Sequence, residues 1–291
     1  MHIRHILSFA AGLFLAAAAL DAQNIVIRID DMGSSHSANL ACIDCYRNGI
    51  AKTVEVMPNA AWFPEAVKLL RENPGLDVGV HLTLTSEWDN VKWRPLTDCK
   101  SILDDYGYFM PRIRVNKKFP GKSVLECNVV LEEIEAEFRA QIEMCLKYIP
   151  QTSHISGHMG SNNFSPKVAA LVRRLADEYG LPSIDNNDSE ATLNFKFTGY
   201  NGPHGTYKEK LKSLSENLTH LDKGCNYLFL DHPAYDDPEM AGVYHPGYEN
   251  VASDRQGVRD MLCSKKLKKI LDKNGINVIS VADLIKMTGK K

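Results

Sequence analysis

The sequence predicts an α/β fold: a single-domain, barrel-like (β/α) array with mostly parallel strands and loop excursions at their carboxyl ends. Three observations predict it. Short apolar runs alternate with stretches of helical period along most of the 291 residues. The runs are continuously apolar, as strands covered on both faces by crossover helices require. Aspartates and histidines recur at the ends of these runs, where parallel folds of this kind gather their chemistry.

The elements follow in order. NIVIRID, residues 24–30, is the first strand, ANLACIDCYRNG a helix stopped by Gly49, and KTVEVMP the second strand. FPEAVKLLRENPG supplies the next helix, closed by its Pro-Gly, and LDVGVHLTL the third strand. Residues 86–124 hold turn formers and aromatic side chains without a clear period, and read as an excursion on the functional face. A charged amphipathic helix is expected over residues 124–149, then the strand TSHISGH, the helix SPKVAALVRRLADEYG and the strand PSIDN. A second loop-rich stretch, 186–206, precedes the helix KEKLKSLSENLTHL and the strand CNYLFLDHP. One helix over residues 254–275, the strand INVIS and a last helix complete the chain. No linker, repeat or low-complexity tract interrupts it, so residues 23–291 are expected to be one domain.

Residues 1–22 read as a signal peptide: Arg4 precedes an apolar run too short to span a bilayer, and small residues follow. Cleavage is expected after Ala22 or after Ala19, which would leave a periplasmic or secreted protein with no membrane attachment. A formal charge of -2 gives no broad pull toward nucleic acid or anionic lipid, so a small or neutral substrate is expected. The sequence leaves open whether the chain works alone or as a homodimer. Seven cysteines leave at least one thiol unpaired within a chain, and Cys42 and Cys45 are expected to pack in their helix rather than form a redox pair.

The candidate site lies at the strand ends. Asp30 and Asp31 end the first strand, His81 the third, His158 closes TSHISGH, and Asp231 with His232 closes YLFLDHP. Taken singly, each has an ordinary structural explanation, such as a core imidazole bonded to a carbonyl or a carboxylate capping a helix. Their coincidence at strand ends points instead to imidazoles and carboxylates sharing a catalytic metal.

Four blocks, IVIRIDDMGSSHSAN, GLDVGVHLTLTSEW, TSHISGHMGSNNFSP and LFLDHPAYDD, resemble in order and spacing the motifs of the YdjC/ChbG family of carbohydrate deacetylases. The resemblance runs over nearly the whole mature chain. It implies a barrel-like fold of parallel strands, one divalent metal ion, and removal of acetyl groups from N-acetylated sugars such as chitooligosaccharides. Carried over by position, it implies Asp31, His81 and His158 as metal ligands, Asp30 as general base and His232 as acid. His36, His154, Trp88 and Arg255 are candidates for binding a small carbohydrate substrate. The chain departs from the family pattern at Ser156, where an acidic residue is common, at Ala234, and in the HMGSN run, which lacks further histidines. Zinc and magnesium head the candidate metals, with cobalt and manganese also compatible with an Asp-His-His set. Two other readings use the same residues: a sugar-binding protein without catalysis, and a non-haem iron oxygenase, whose usual all-β scaffold the strand-helix alternation disfavours.

Overall fold

A computed structural model describes residues 23–185 and 193–289, so the expected signal peptide lies outside the described residues. The first half lays down β1 (Gln23–Met32), α1 (His36–Arg47), β2 (Thr53–Val56), α2 (Phe63–Arg71) and β3 (Asp77–Leu82). After the long excursion come α3 (Leu131–Tyr148), β4 (Thr152–Gly157), α4 (Pro166–Tyr179), β5 (Phe195–Phe197) and α5 (Tyr207–Leu218). The chain continues through β6 (Asn226–Asp231), α6 (Val251–Leu262), α7 (Lys265–Lys273), β7 (Ile276–Ile279) and α8 (Val281–Thr288).

Every strand ladder is parallel, in the order β4-β3-β2-β1-β6-β5. Asn24–Val26 of β1 pair with both β6 and β7, while Arg28 and Ile29 pair with both β6 and β2. The edge of β1 opposite β6 is therefore shared by β7 and β2 in tandem, and the sheet curls into a half-barrel. Apolar side chains of its strands pack against α1 to α7 in one large core. A smaller cluster joins Val26 and Leu228 to Val281 and Leu284 of α8.

That last helix closes one end of the curl. The Val281 N–H donates to Thr53 Oγ1 at 3.0 Å and the Ala282 N–H to Asp77 Oδ2 at 2.9 Å. Thr53 and Asp77 are the first residues of β2 and β3. Covering the amino ends leaves the carboxyl ends, with their aspartates and histidines, as the face available to a ligand.

Four expected elements differ. The helix expected from residue 124 begins at Leu131, because the Val124 and Leu125 amides donate to the carbonyls of Arg112 and Ile113 and confine this stretch to a 3₁₀ turn over Val124–Glu126. The helix expected over 254–275 is two helices: Ser264 turns its hydroxyl onto the Lys266 N–H and starts a new one. The described residues of PSIDN, 182–185, make one bridge, Ser183 with Ile155, since Pro182 offers its carbonyl to Ile155 but has no N–H to extend a ladder. The stretch expected as loop contains the short strand β5. All seven cysteines are free thiols, with Cys42 and Cys45 buried in α1. No helix of the described residues is long and apolar enough to cross a membrane.

Candidate active site

The two adjacent carboxylates that end β1 would point to opposite faces of a regular strand. They do not, because the register against β2 shifts between Ile29 and Met32 and Asp31 takes a left-handed φ of 69°. Aspartate tolerates this conformation better than most residues. The Ser34 N–H and hydroxyl hold the turn by donating to the Asp31 carbonyl at 3.1 and 2.7 Å. Asp30 and Asp31 consequently line one cavity of about 430 Å³ with His81, His158, His232 and Arg255.

Asp31 lies at the centre of this arrangement. Its Oδ2 accepts from Arg255 Nη2 at 2.9 Å, which fixes the carboxylate. Its Oδ1 is buried with no hydrogen-bond partner, 3.1 Å from His158 Nδ1 and 3.6 Å from His81 Nε2. Asp31, His81 and His158 each offer a ligand atom, all within 4.8 Å of one another. A buried carboxylate oxygen facing two imidazole nitrogens with no well-formed hydrogen bond is the donor set a divalent cation takes.

Both imidazoles are oriented from behind. The Ser156 hydroxyl donates to Glu55 Oε2, so its oxygen accepts from His81 Nδ1 at 2.7 Å and leaves the Nε2 lone pair toward Asp31. His158 Nε2 stands 3.1 Å from Glu87 Oε2, which leaves Nδ1 toward Asp31. Burial and the neighbouring His158 charge push His81 down to about 3. Burial also opposes charge on His158, but Glu87 and Asp31 outweigh it and hold His158 at about 10. The acidic surroundings thus draw a positive charge to this spot, a role a bound cation would take over while displacing the proton.

Asp30 is placed differently. Its Oδ2 accepts from Arg28 Nη2 at 2.8 Å, while Oδ1 is buried without a partner. Burial pushes its pKa up to about 6, against the opposing pull of Arg28. Arg28 is itself held by Asp185 at 2.7 Å. His232 is a third exposed at the cavity wall, and its backbone N–H donates to Asp231 Oδ1 at 2.8 Å. Loss of water lowers its pKa, but Asp31 and Asp231 outweigh that and raise it above the ordinary imidazole value.

Two of the residues expected to bind substrate stand outside this cavity. His36 begins α1, pairs with Glu65 at 2.8 Å and packs its ring, tilted, against Trp62, because its helix end is turned toward Glu239 and Glu65 rather than the strand ends. His154 is fully buried in the sheet, with Nε2 2.7 Å from Glu55 Oε1 and Nδ1 2.7 Å from Ser153 Oγ. Ser153 gives its proton to Asp77, so its oxygen can accept from His154 Nδ1; burial lowers the His154 pKa, but Glu55 outweighs it and raises it above the ordinary imidazole value. Its place is beneath the site, holding Glu55. Gly79 on β3 makes room for this pair, since a Cβ there would lie 2.1 Å from Glu55 Oε2. Trp88 and Arg255 do line the cavity, but Trp88 is only 4% exposed and packs beside His245 and under the Arg255 guanidinium, and offers little ring surface.

Sequence reasoning passed over Arg28, Glu55, Glu87 and Asp185. The first two carried a signal: each is a charged residue inside an otherwise apolar strand, where burial demands a partner.

The family model described as YdjC-like protein matches residues 24–273. The chain belongs to the YdjC-like family. Among its relatives, carbohydrate deacetylase 1 of Listeria innocua is 28% identical over 272 residues, covering 90% of this chain and all of that protein. The carbohydrate deacetylase of Thermoanaerobacter pseudethanolicus is 26% identical, covering 87% of this chain and 95% of that one. A crystal structure of a proposed cellobiose-phosphate cleavage protein from Enterococcus faecalis shares the YdjC-like chain's fold, with a TM-score of 0.71 at 22% identity over 90% of this chain and 99% of that one.

Proposed function

We propose that the protein is a metal-dependent deacetylase of N-acetylated sugars or oligosaccharides, acting in the periplasm or outside the cell. One observation carries the reading: the converging ligand atoms of Asp31, His81 and His158 share a cavity wall with an unpartnered Asp30 oxygen and with His232. The names of the Listeria and Thermoanaerobacter relatives support the reaction class. The apolar, small-residue pattern of residues 1–22 supports the location.

An acetamide resists water at neutral pH, so hydrolysis needs an activated nucleophile, relief of charge on the carbonyl oxygen and a protonated leaving amine. Asp31, His81 and His158 would hold a divalent cation, which would supply Lewis acidity toward the carbonyl and lower the pKa of a water. Asp30 Oδ1, free of any partner, takes the proton from the attacking water as the new C–O bond forms. His232 delivers a proton to the nitrogen as the C–N bond breaks, giving acetate and the free amino sugar. Arg28 keeps Asp30 aimed, and Arg255 does the same for Asp31.

Acetate release from chitobiose and chitotetraose by metal-loaded protein tests this reading. Release should stop on chelation and return on adding back zinc or magnesium. Tight binding of these sugars with no acetate formed would leave a binding protein instead.

A second expected result concerns Ser156. Ser156→Ala removes the acceptor of the His81 Nδ1 proton and the donor to Glu55. Metal affinity should fall about ten- to a hundredfold, as loss of a group that orients a ligating histidine does. Competition with a chromophoric chelator measures it, and unchanged affinity would mean that His81 holds its orientation without the hydroxyl.

A further inference from the structure

A second cavity, of about 440 Å³, adjoins the first. Glu87, Met159 and His245 line both, and the far wall of the second is the segment Pro111–Asn116 from the long excursion after β3. This wall belongs to a basic stretch of the chain. Residues 111–123 contain Arg112, Arg114, Lys117, Lys118 and Lys122 and no acidic residue, in a protein of net charge -2.

The carboxylates nearby are already engaged. Glu126 accepts from the Ser123 hydroxyl at 2.6 Å and the Gly121 N–H at 2.9 Å, folding back on the loop itself. Glu87 faces His158. Among the described residues none of the five cations forms an ion pair, and Arg112 packs over Phe119 with its Nε buried and unpartnered. The loop is nevertheless held in place: Arg112 bridges Ser123, the Leu125 N–H donates to the Ile113 carbonyl at 3.1 Å, and Ile113 is buried. At the junction of the two cavities Met159 adopts a left-handed φ of 50° with its side chain half exposed. Strain of this kind in a non-glycine residue persists where surrounding structure imposes it, characteristically at ligand sites.

We propose that the second cavity is a subsite for an anionic substituent on the sugar next to the acetylated one, so that the preferred substrate is an acidic, acetylated oligosaccharide. This rests on the deacetylase reading. Guanidinium groups match carboxylate and sulfate oxygens in bidentate geometry, which suits Arg112 and Arg114 to either source of charge. A concave wall of like charge also concentrates anions locally, whatever the net charge of the whole molecule.

Three tetrasaccharide probes separate the outcomes: neutral chitotetraose, its 6-O-sulfated form, and a hyaluronan tetrasaccharide whose only charges are carboxylates. The wild-type protein should bind at least one anionic probe tenfold or more tightly than chitotetraose by calorimetry, with the advantage shrinking as salt is raised. The probe favoured identifies sulfate or carboxylate as the recognised group. The double variant Arg112→Ala with Arg114→Ala should lose that advantage and raise KM for the anionic probe by a similar factor, leaving kcat and the kinetics on chitotetraose unchanged. Equal binding of neutral and anionic probes, or an advantage that survives the double variant, would overturn the subsite. Absence of acetate release from every probe would overturn the deacetylase reading alone, because the binding comparison does not depend on turnover.

Discussion

Asp30→Asn is expected to slow acetate release roughly a hundred- to ten-thousandfold, the usual worth of a positioned general base, while metal content stays at the wild-type level. The side chain is close to isosteric, and Arg28 keeps its second partner, Asp185, so the cavity should hold its shape. Only the acceptor is lost. Asp31→Asn should fail in another way: it removes charge from the oxygen that faces both imidazoles, lowers metal occupancy, and is partly restored by excess metal. Metal analysis after dialysis, together with acetate release on both variants, separates the two. Rescue of Asp30→Asn by metal, with none for Asp31→Asn, would mean that the pair is assigned the wrong way round.

His158→Ala should abolish metal binding and turnover together. In the proposed site the imidazole offers one of three ligand atoms, and even groups that merely orient such ligands are worth ten- to a hundredfold. Its removal also leaves Asp31 and Glu87 facing each other's field without the imidazolium that now lies 3.1 Å from each. Glu87→Gln offers a graded comparison, since the amide oxygen can still accept from Nε2 but brings no charge; a loss smaller than that of His158→Ala is expected. Equilibrium titration with zinc and with magnesium reads both variants. Full metal content and normal turnover in His158→Ala would remove the basis of the proposed chemistry.

The alternation of apolar strands and amphipathic helices was legible in the chain because burial on both faces and helical period leave local marks. For the same reason the strand ends could be read, and with them Asp30, Asp31, His81, His158 and His232, all of which line one cavity. Helix interruptions were less legible: the cap at Ser264 and the pinning of Val124 to Arg112 depend on one side chain or on a distant partner.

Residue type and position along the chain therefore determined the fold class and the inventory of candidate groups. Tertiary structure alone decided how those groups are oriented. The bulge that turns Asp31 beside Asp30 arises from register against β2, and the bonds from Glu55 to His154 and Ser156 span 99 and 101 residues. His36 and His154, equal candidates in the sequence, fall outside the cavity because helix entry and strand pairing face them elsewhere. Net charge likewise suggested a small or neutral ligand, yet a sum over 291 residues cannot show five cations gathered on one loop, of which folding brings Arg112 and Arg114 to the wall of the adjoining cavity. Periodicity records which face of an element is buried; contacts between distant elements depend on strand order and register, which no local pattern encodes.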